Sequence, residues 1–323
     1  MKLFILENLH HLLSCNVIGD IQYNNRYIGF DGELHFHNWF SANRDINNLY
    51  HGGYLIPPLE DSGTLDNPVY ITISPSCINE TYNEIFHHMS KISPKLFYIH
   101  FDTSEKIDKW ATVDVMSTGS QLPVPKMHVY KFDAANSQFL DSTLEDLLTN
   151  FAKKPVTRSN SSRITAEIKK KNIERLENHT INDLLNLYVD RLIFDGYIGL
   201  SRFRGIPSDI DAIAKKSGKE LRLIEIKEKD KSKRPPVGFG MDCRRINSLL
   251  EIQNKTGIPY FYVVREVHDQ STRKFKGWKV ISMSKFSKSV GSNKIIEGGT
   301  GMRSKNSKNP TKVSDYNNFN DLK

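Results

Sequence analysis

The stretch Ser208-Asp209-Ile210-Asp211-Ala212-Ile213-Ala214-Lys215-Lys216-Ser217-Gly218-Lys219-Glu220-Leu221-Arg222-Leu223-Ile224-Glu225-Ile226-Lys227 decides how this chain is read. Asp209 to Ala214 alternates acidic and apolar residues, the period of a half-buried strand. Lys215 to Lys219 is polar and contains Gly218, the composition of a hairpin connection. Leu221 to Lys227 alternates again. Leu221, Leu223, Glu225 and Lys227 therefore share one face, and Arg222, Ile224 and Ile226 share the other. Two residues along a strand is about 6.5–7 Å at Cα, so Glu225 and Lys227 point the same way as near neighbours. Asp211, on the partner strand, can face the same pair.

Two carboxylates converging on a sheet repel each other, and burial raises the cost unless a cation or the lysine lies between them. Hard oxygen ligands with open positions suit Mg²⁺. A lysine beside them can orient or deprotonate an attacking water, or stabilise charge developing on a phosphate. The arrangement resembles the PD-(D/E)xK nuclease superfamily, which holds restriction endonucleases, junction resolvases and many repair and defence nucleases. The family's acidic residue on one strand of a hairpin would be Asp211, and its (D/E)-x-K would be Glu225-Ile226-Lys227. Asp209 is the alternative register. Asp211 is preferred because Ala212-Ile213-Ala214 resembles the apolar tripeptide that follows the family's aspartate.

The resemblance covers roughly Thr180 to Val264. It implies a restriction-endonuclease-like α/β core, a central mixed sheet of four to five strands flanked by helices. It also implies Mg²⁺, with Mn²⁺ able to substitute, held by Asp211, Glu225 and the Ile226 carbonyl, with Lys227 positioning the water. Basic or amide residues near the site become candidates for nucleic-acid contact: Lys229, Lys233 and Arg234 in the loop after the motif, and Arg244, Arg245 and Gln253 on the next helix. Family members often add an acid from the first helix. Asp183 and Asp190 fall opposite that helix's apolar stripe, and Glu174 and Glu177 lie upstream, so no first-helix acid is assigned.

With 323 residues the chain can hold two domains of ordinary size. Hydrophobic residues make up 38% and charged residues 25%, with mean hydropathy −0.48. A net charge of +8 points to a polyanionic partner, nucleic acid before membrane. Three scattered cysteines, Cys15, Cys77 and Cys243, make neither a disulfide framework nor a zinc cluster and fit a reducing cytoplasm. No apolar run reaches the length of a membrane span, and the first residues lack the form of a signal peptide.

Residues 1–152 read as a separate α/β or α+β domain that positions substrate. Lys2 to Leu13 reads as a strand or a short helix, and Tyr27 to His37 as a hairpin with an Asp31-Gly32 turn. Tyr70–Ser74, Leu96–Phe101 and Met127–Phe132 read as strands; Ile78–Ile92 and Leu140–Phe151 read as helices. The histidines of this region lack a third ligand at a recognised spacing, so no metal is assigned to them. Residues 153–163 read as a linker and 164–290 as the nuclease domain. Within it, a basic helix runs from Ile164 to His179. A second helix is capped by Thr180 and stopped by Gly196, and Tyr197–Phe203 follows as a strand. Asp242–Thr256 reads as a helix, Ile258–Glu266 as a buried strand, and Trp278–Met283 as an edge strand. Residues 291–323 read as a basic flexible tail.

The expectation is a Mg²⁺-dependent DNA endonuclease of restriction or phage-defence type, acting as a homodimer because cutting two strands takes two active sites. The alternatives are a nucleic-acid-binding protein that keeps the fold without the chemistry, a repair or recombination nuclease, and a structural protein with a basic surface.

Overall fold

The computed structural model describes residues 1–15, 17, 19–58, 65–115, 120–153, 164–198, 202–203, 207–216, 220–233, 235–269, 271–289, 295–297 and 310–323. The protein is α/β. Its chain divides into two compact units, Met1–Asp31 with Gly53–Pro207, and Gly32–Gly52 with Ser208–Lys323.

The first unit contains α1 (Lys2–Ser14), the Asp20–Asp31 half of α2 (Asp20–Asn43) and the Gly53–Ile56 half of β1 (Leu49–Ile56). Then follow β2 (Val69–Ser74), α3 (Glu80–Met89) and β3 (Lys95–Phe101). The short pair β4 (Ala111–Val115) and β5 (Ser120–Val124) comes next, then β6 (Met127–Asp133), β7 (Gln138–Ser142) and α4 (Leu144–Leu148). Strands β2 and β3 pair in parallel, joined by α3, while β6 and β7 extend the sheet antiparallel. Strand β8 (Ala152–Lys153), helices α5 (Ala166–Leu176) and α6 (Ile181–Arg191), and β9 (Arg202–Phe203) complete the unit. Thr180 caps α6 in a reciprocal capping box with Asp183.

The second unit joins the Gly32–Asn43 half of α2 and the Leu49–Gly52 half of β1 to β10 (Ser208–Lys216) and β11 (Glu220–Lys229). It continues through β12 (Gly238–Asp242), α7 (Cys243–Thr256), β13 (Tyr260–Val267), β14 (Phe275–Ser282) and α8 (Met283–Ser289). Strands β15 (Ile295–Glu297), β16 (Pro310–Asp315) and β17 (Asn320–Asp321) end it. Strand β10 pairs antiparallel with β11, β11 pairs in parallel with β13, and β14 and β17 add antiparallel strands. The parallel pair requires a crossover, and α7 supplies it. Gly257, at φ +75°, ends that helix in the left-handed conformation that glycine adopts without strain.

The sheet of this unit has an apolar face of Ala212, Ile224, Ile226, Val263 and Trp278, covered by Phe36 from α2. Helix α7 packs on β10 and β13. Gly52 is required where β1 meets β10: a Cβ there would stand 1.8 Å from the Ile210 carbonyl oxygen. Gly52→Ala is expected to cost roughly 2–3 kcal/mol through this clash, read as a lowered urea midpoint.

Several sequence expectations change. Tyr27–His37 is not a hairpin but the middle of α2. Tyr23, Tyr27, Phe30 and Leu34 are buried at helical spacing, a period hidden by the turn-like Asp31-Gly32 pair. Gly32 serves close packing instead, since a Cβ there would lie 3.4 Å from Glu228 Cβ. Leu140–Phe151 divides into the end of β7 and the short α4. Gly196 does not stop α6. The chain continues as a π-helical turn, Leu192–Ile198, with Leu12 and Val115 closing on Gly196. Tyr197 and Ile198 belong to that turn, only Arg202–Phe203 is strand, and 199–201 lie outside the described residues. The expected linker, from 154 onward, also lies outside them. Helices α5 and α6 group with the first unit, and Gly32–Gly52 with the second. Strand β14 is not at the edge, because β17 pairs with it, and the stretch expected as a tail supplies β16 and β17.

Candidate active site

The alternation read from the sequence places Glu225 and Lys227 on one face of β11. The β10–β11 register, from Lys216↔Glu220 to Ala212↔Ile224, brings Asp211 beside them. Asp211 Oδ2 accepts the Ile226 N–H at 2.6 Å and lies 3.5 Å from Lys227 Nζ. Lys227 Nζ stands 2.8 Å from Glu225 Oε1. The carboxyls of Asp211 and Glu225 are buried, and the lysine is partly exposed at their edge.

Arg245, in the first turn of α7, holds the other side of Glu225. Its Nε donates to Glu225 Oε1 at 3.0 Å and its Nη2 to Oε2. The same guanidinium donates to Ser208 Oγ at 2.8 Å and the Asp209 carbonyl at 2.7 Å, and pairs with Asp209 Oδ1 at 2.6 Å. Oxygen atoms of Asp209, Asp211 and Glu225 lie within 4.8 Å of one another. Three carboxyl groups therefore face two cations. This all-oxygen donor set fits a hard cation such as Mg²⁺ or Mn²⁺.

The electrostatics follow from burial and this crowding. Burial pushes the Asp211 carboxyl well above the usual range. Lys227 opposes the shift, and Glu225, Glu33 and Asp209 reinforce it. Burial works against the charge on Lys227, but Asp211, Glu225 and Asp209 outweigh it and hold the ammonium protonated. Lys227 is thus an ammonium that donates to the two carboxyls.

The other sequence candidates separate. Lys229 follows on the same face of β11, and burial and Lys227 lower its pKa. Lys233 and Arg244 are exposed, and Arg234 lies outside the described residues. The Gln253 side chain is engaged with Ser284 Oγ and the Tyr260 N–H, holding α7 to β13. Ile226 buries its side chain in the apolar cluster on the opposite face. Arg245 is committed to the carboxylates.

Asp209, the alternative register in the sequence, stands beside Asp211 and pairs with Arg245. Sequence reasoning missed two contributors. Ser208 anchors the same guanidinium. Glu33, on α2, lies close enough to raise the Asp211 pKa. It had no signal, because its helix was read as a hairpin.

His51, just before Gly52, has its pKa lowered from 6.5 to about 3 by burial, with His37 adding to the effect. A half-buried imidazole held neutral leaves the fold at full stability above pH 6.5, the unfolded value, and costs stability as pH falls toward about 3. His51→Gln is expected to flatten the fall in urea midpoint between about pH 7 and pH 4.5.

Comparison with protein-family models, curated proteins and solved structures finds no match to this chain.

Proposed function

We propose that the protein is a metal-dependent DNA endonuclease with a PD-(D/E)xK-type site and a restriction-endonuclease-like core. The convergence of Asp211, Glu225 and Lys227 at a β10–β11 pair carries this reading. The parallel β11–α7–β13 crossover beside it supports the core assignment. Asp211, Glu225 and Asp209 would hold Mg²⁺ or Mn²⁺. The bound ion supplies Lewis acidity to the phosphate and a lowered pKa for its water. Lys227 Nζ, kept protonated, meets the negative charge of the scissile phosphate and orients the attacking water. Hydrolysis forms a P–O bond to that water and breaks the P–O bond to the leaving sugar oxygen. Arg245 fixes the Glu225 and Asp209 rotamers. Lys229, Lys233 and Arg244 are the basic side chains offered to the strand, and cutting both strands calls for a homodimer.

One observation favours a second reading, a nucleic-acid-binding protein without chemistry. Glu225 already has Arg245 and Lys227 as partners, so the cluster is largely satisfied without a metal.

The test is incubation with supercoiled plasmid, branched DNA and RNA in Mg²⁺ or Mn²⁺, with EDTA as control. Metal-dependent nicking or discrete bands support the nuclease, and the preferred substrate fixes its class. Metal-independent binding with no cleavage of any of them supports the second reading. Among the described residues no helix is long and apolar enough to cross a membrane.

A further inference from the structure

The opposite face of the same strand borders a cavity of about 480 Å³. Strand alternation separates it from the acidic cluster: Arg222 and Ile224 line the cavity, whereas Glu225 and Lys227 face the other way. The volume lies in the range of small-molecule sites, roughly 300–1,000 Å³. Its wall is aromatic: Phe36, Trp39 and Phe40 from α2, and Phe261 from β13. Phe36 and Trp39 stack with ring centroids 5.8 Å apart. Its lining carries four cations, Arg44, Lys215, Lys216 and Arg222, and the carboxylate Asp45; Arg44 donates to the Lys323 main-chain oxygen. The Asp45 oxygens are occupied by the Asn47 N–H and Asn48 Nδ2.

Arg222 gives the second observation. Its guanidinium lies 5.0 Å from the Phe261 ring centroid and pairs with Glu220 at 3.0 Å. Among the described residues its Nε is buried without a hydrogen-bond partner. The side chain as a whole is 30% exposed, so the guanidinium remains open to an anionic oxygen at the rim through its outer nitrogens.

We propose that this cavity binds a free nucleotide, its base on the aromatic wall and its phosphate at the Arg222–Lys216 rim. Flat apolar surface, a planar cation over an aromatic ring and an excess of positive charge match the two halves of that ligand. The inference does not rest on the nuclease reading, since no residue of the acidic cluster lines the cavity.

The test is calorimetric titration of the full chain in EDTA with AMP, GMP, adenosine, inorganic phosphate and a short single-stranded oligonucleotide. A mononucleotide is expected to bind at least about tenfold more tightly than adenosine or phosphate, because both halves contribute. Arg222→Met is expected to weaken it about tenfold while Asp211→Asn leaves it unchanged. Lys216→Met, at an exposed position, serves if Arg222→Met does not fold. Overturning results are no mononucleotide binding at about 5 mM, affinity unaffected by both rim variants, or loss on Asp211→Asn. Tighter binding of the oligonucleotide than of any mononucleotide, lost in the rim variants, would also overturn the free-nucleotide assignment.

Discussion

Lys227→Ala is expected to lower Mg²⁺-dependent plasmid cleavage by about 10²–10³, the usual consequence of losing one preorganised donor to a transition-state charge. Lys227→Arg is not expected to restore it, because a forked guanidinium does not reproduce a point charge at 2.8 Å from Glu225. The fold should tolerate the alanine. Glu225 keeps Arg245, and Asp211 keeps the Ile226 N–H. Asp211, already raised by burial, takes up a proton when its lysine partner is gone. Circular dichroism and the thermal midpoint should therefore stay close to those of the native protein while the gel assay collapses. Undiminished cleavage by the alanine variant would place the chemistry elsewhere in the chain.

Arg245→Met carries the largest stability change. The methionine fills the stem's volume but leaves the fully buried Glu225 with Lys227, and takes one donor each from Ser208 Oγ and the Asp209 carbonyl. Breaking a buried pair from one side costs about 3–5 kcal/mol, which urea unfolding in EDTA would show. Mg²⁺ or Mn²⁺ should recover part of the loss, because a cation bound only by the folded state stabilises it by mass action. The recovery should exceed the effect of the same metal on the native protein, where Arg245 occupies two of the same carboxylates. Equal metal effects on both proteins would mean that Asp209 and Glu225 are not ligands. Arg245→Lys, which keeps the charge but loses the fork, should fall between the two.

These results bear on one small region, and much of it was legible in the chain. A period of two is a local property. The alternation through Asp209–Ala214 and Leu221–Lys227 by itself placed Glu225 and Lys227 on one strand face, and a polar glycine-containing connection implied the antiparallel pairing that brings in Asp211. Local signals likewise gave α3, α6 with its Thr180 cap, α7 with its Gly257 stop, and the buried β13.

What needed the tertiary structure was every relation between distant segments. Residues Gly32–Gly52 join Ser208–Lys323 across the long intervening stretch, and nothing in a local period announces that. The Asp31-Gly32 pair has turn chemistry, yet long-range burial of Tyr23, Tyr27 and Phe30 holds it in a helix. Arg245 read as a nucleic-acid contact because the family resemblance implies a basic residue on the helix after the motif. Only the packing of α7 against β10 and β13 turns it inward onto Glu225 and Asp209. The sequence determined which side chains share a strand face, because that depends on neighbours two residues away. The partners that neutralise those side chains, and the cavity behind them, depend on segments far apart in the chain, so only the fold decided them.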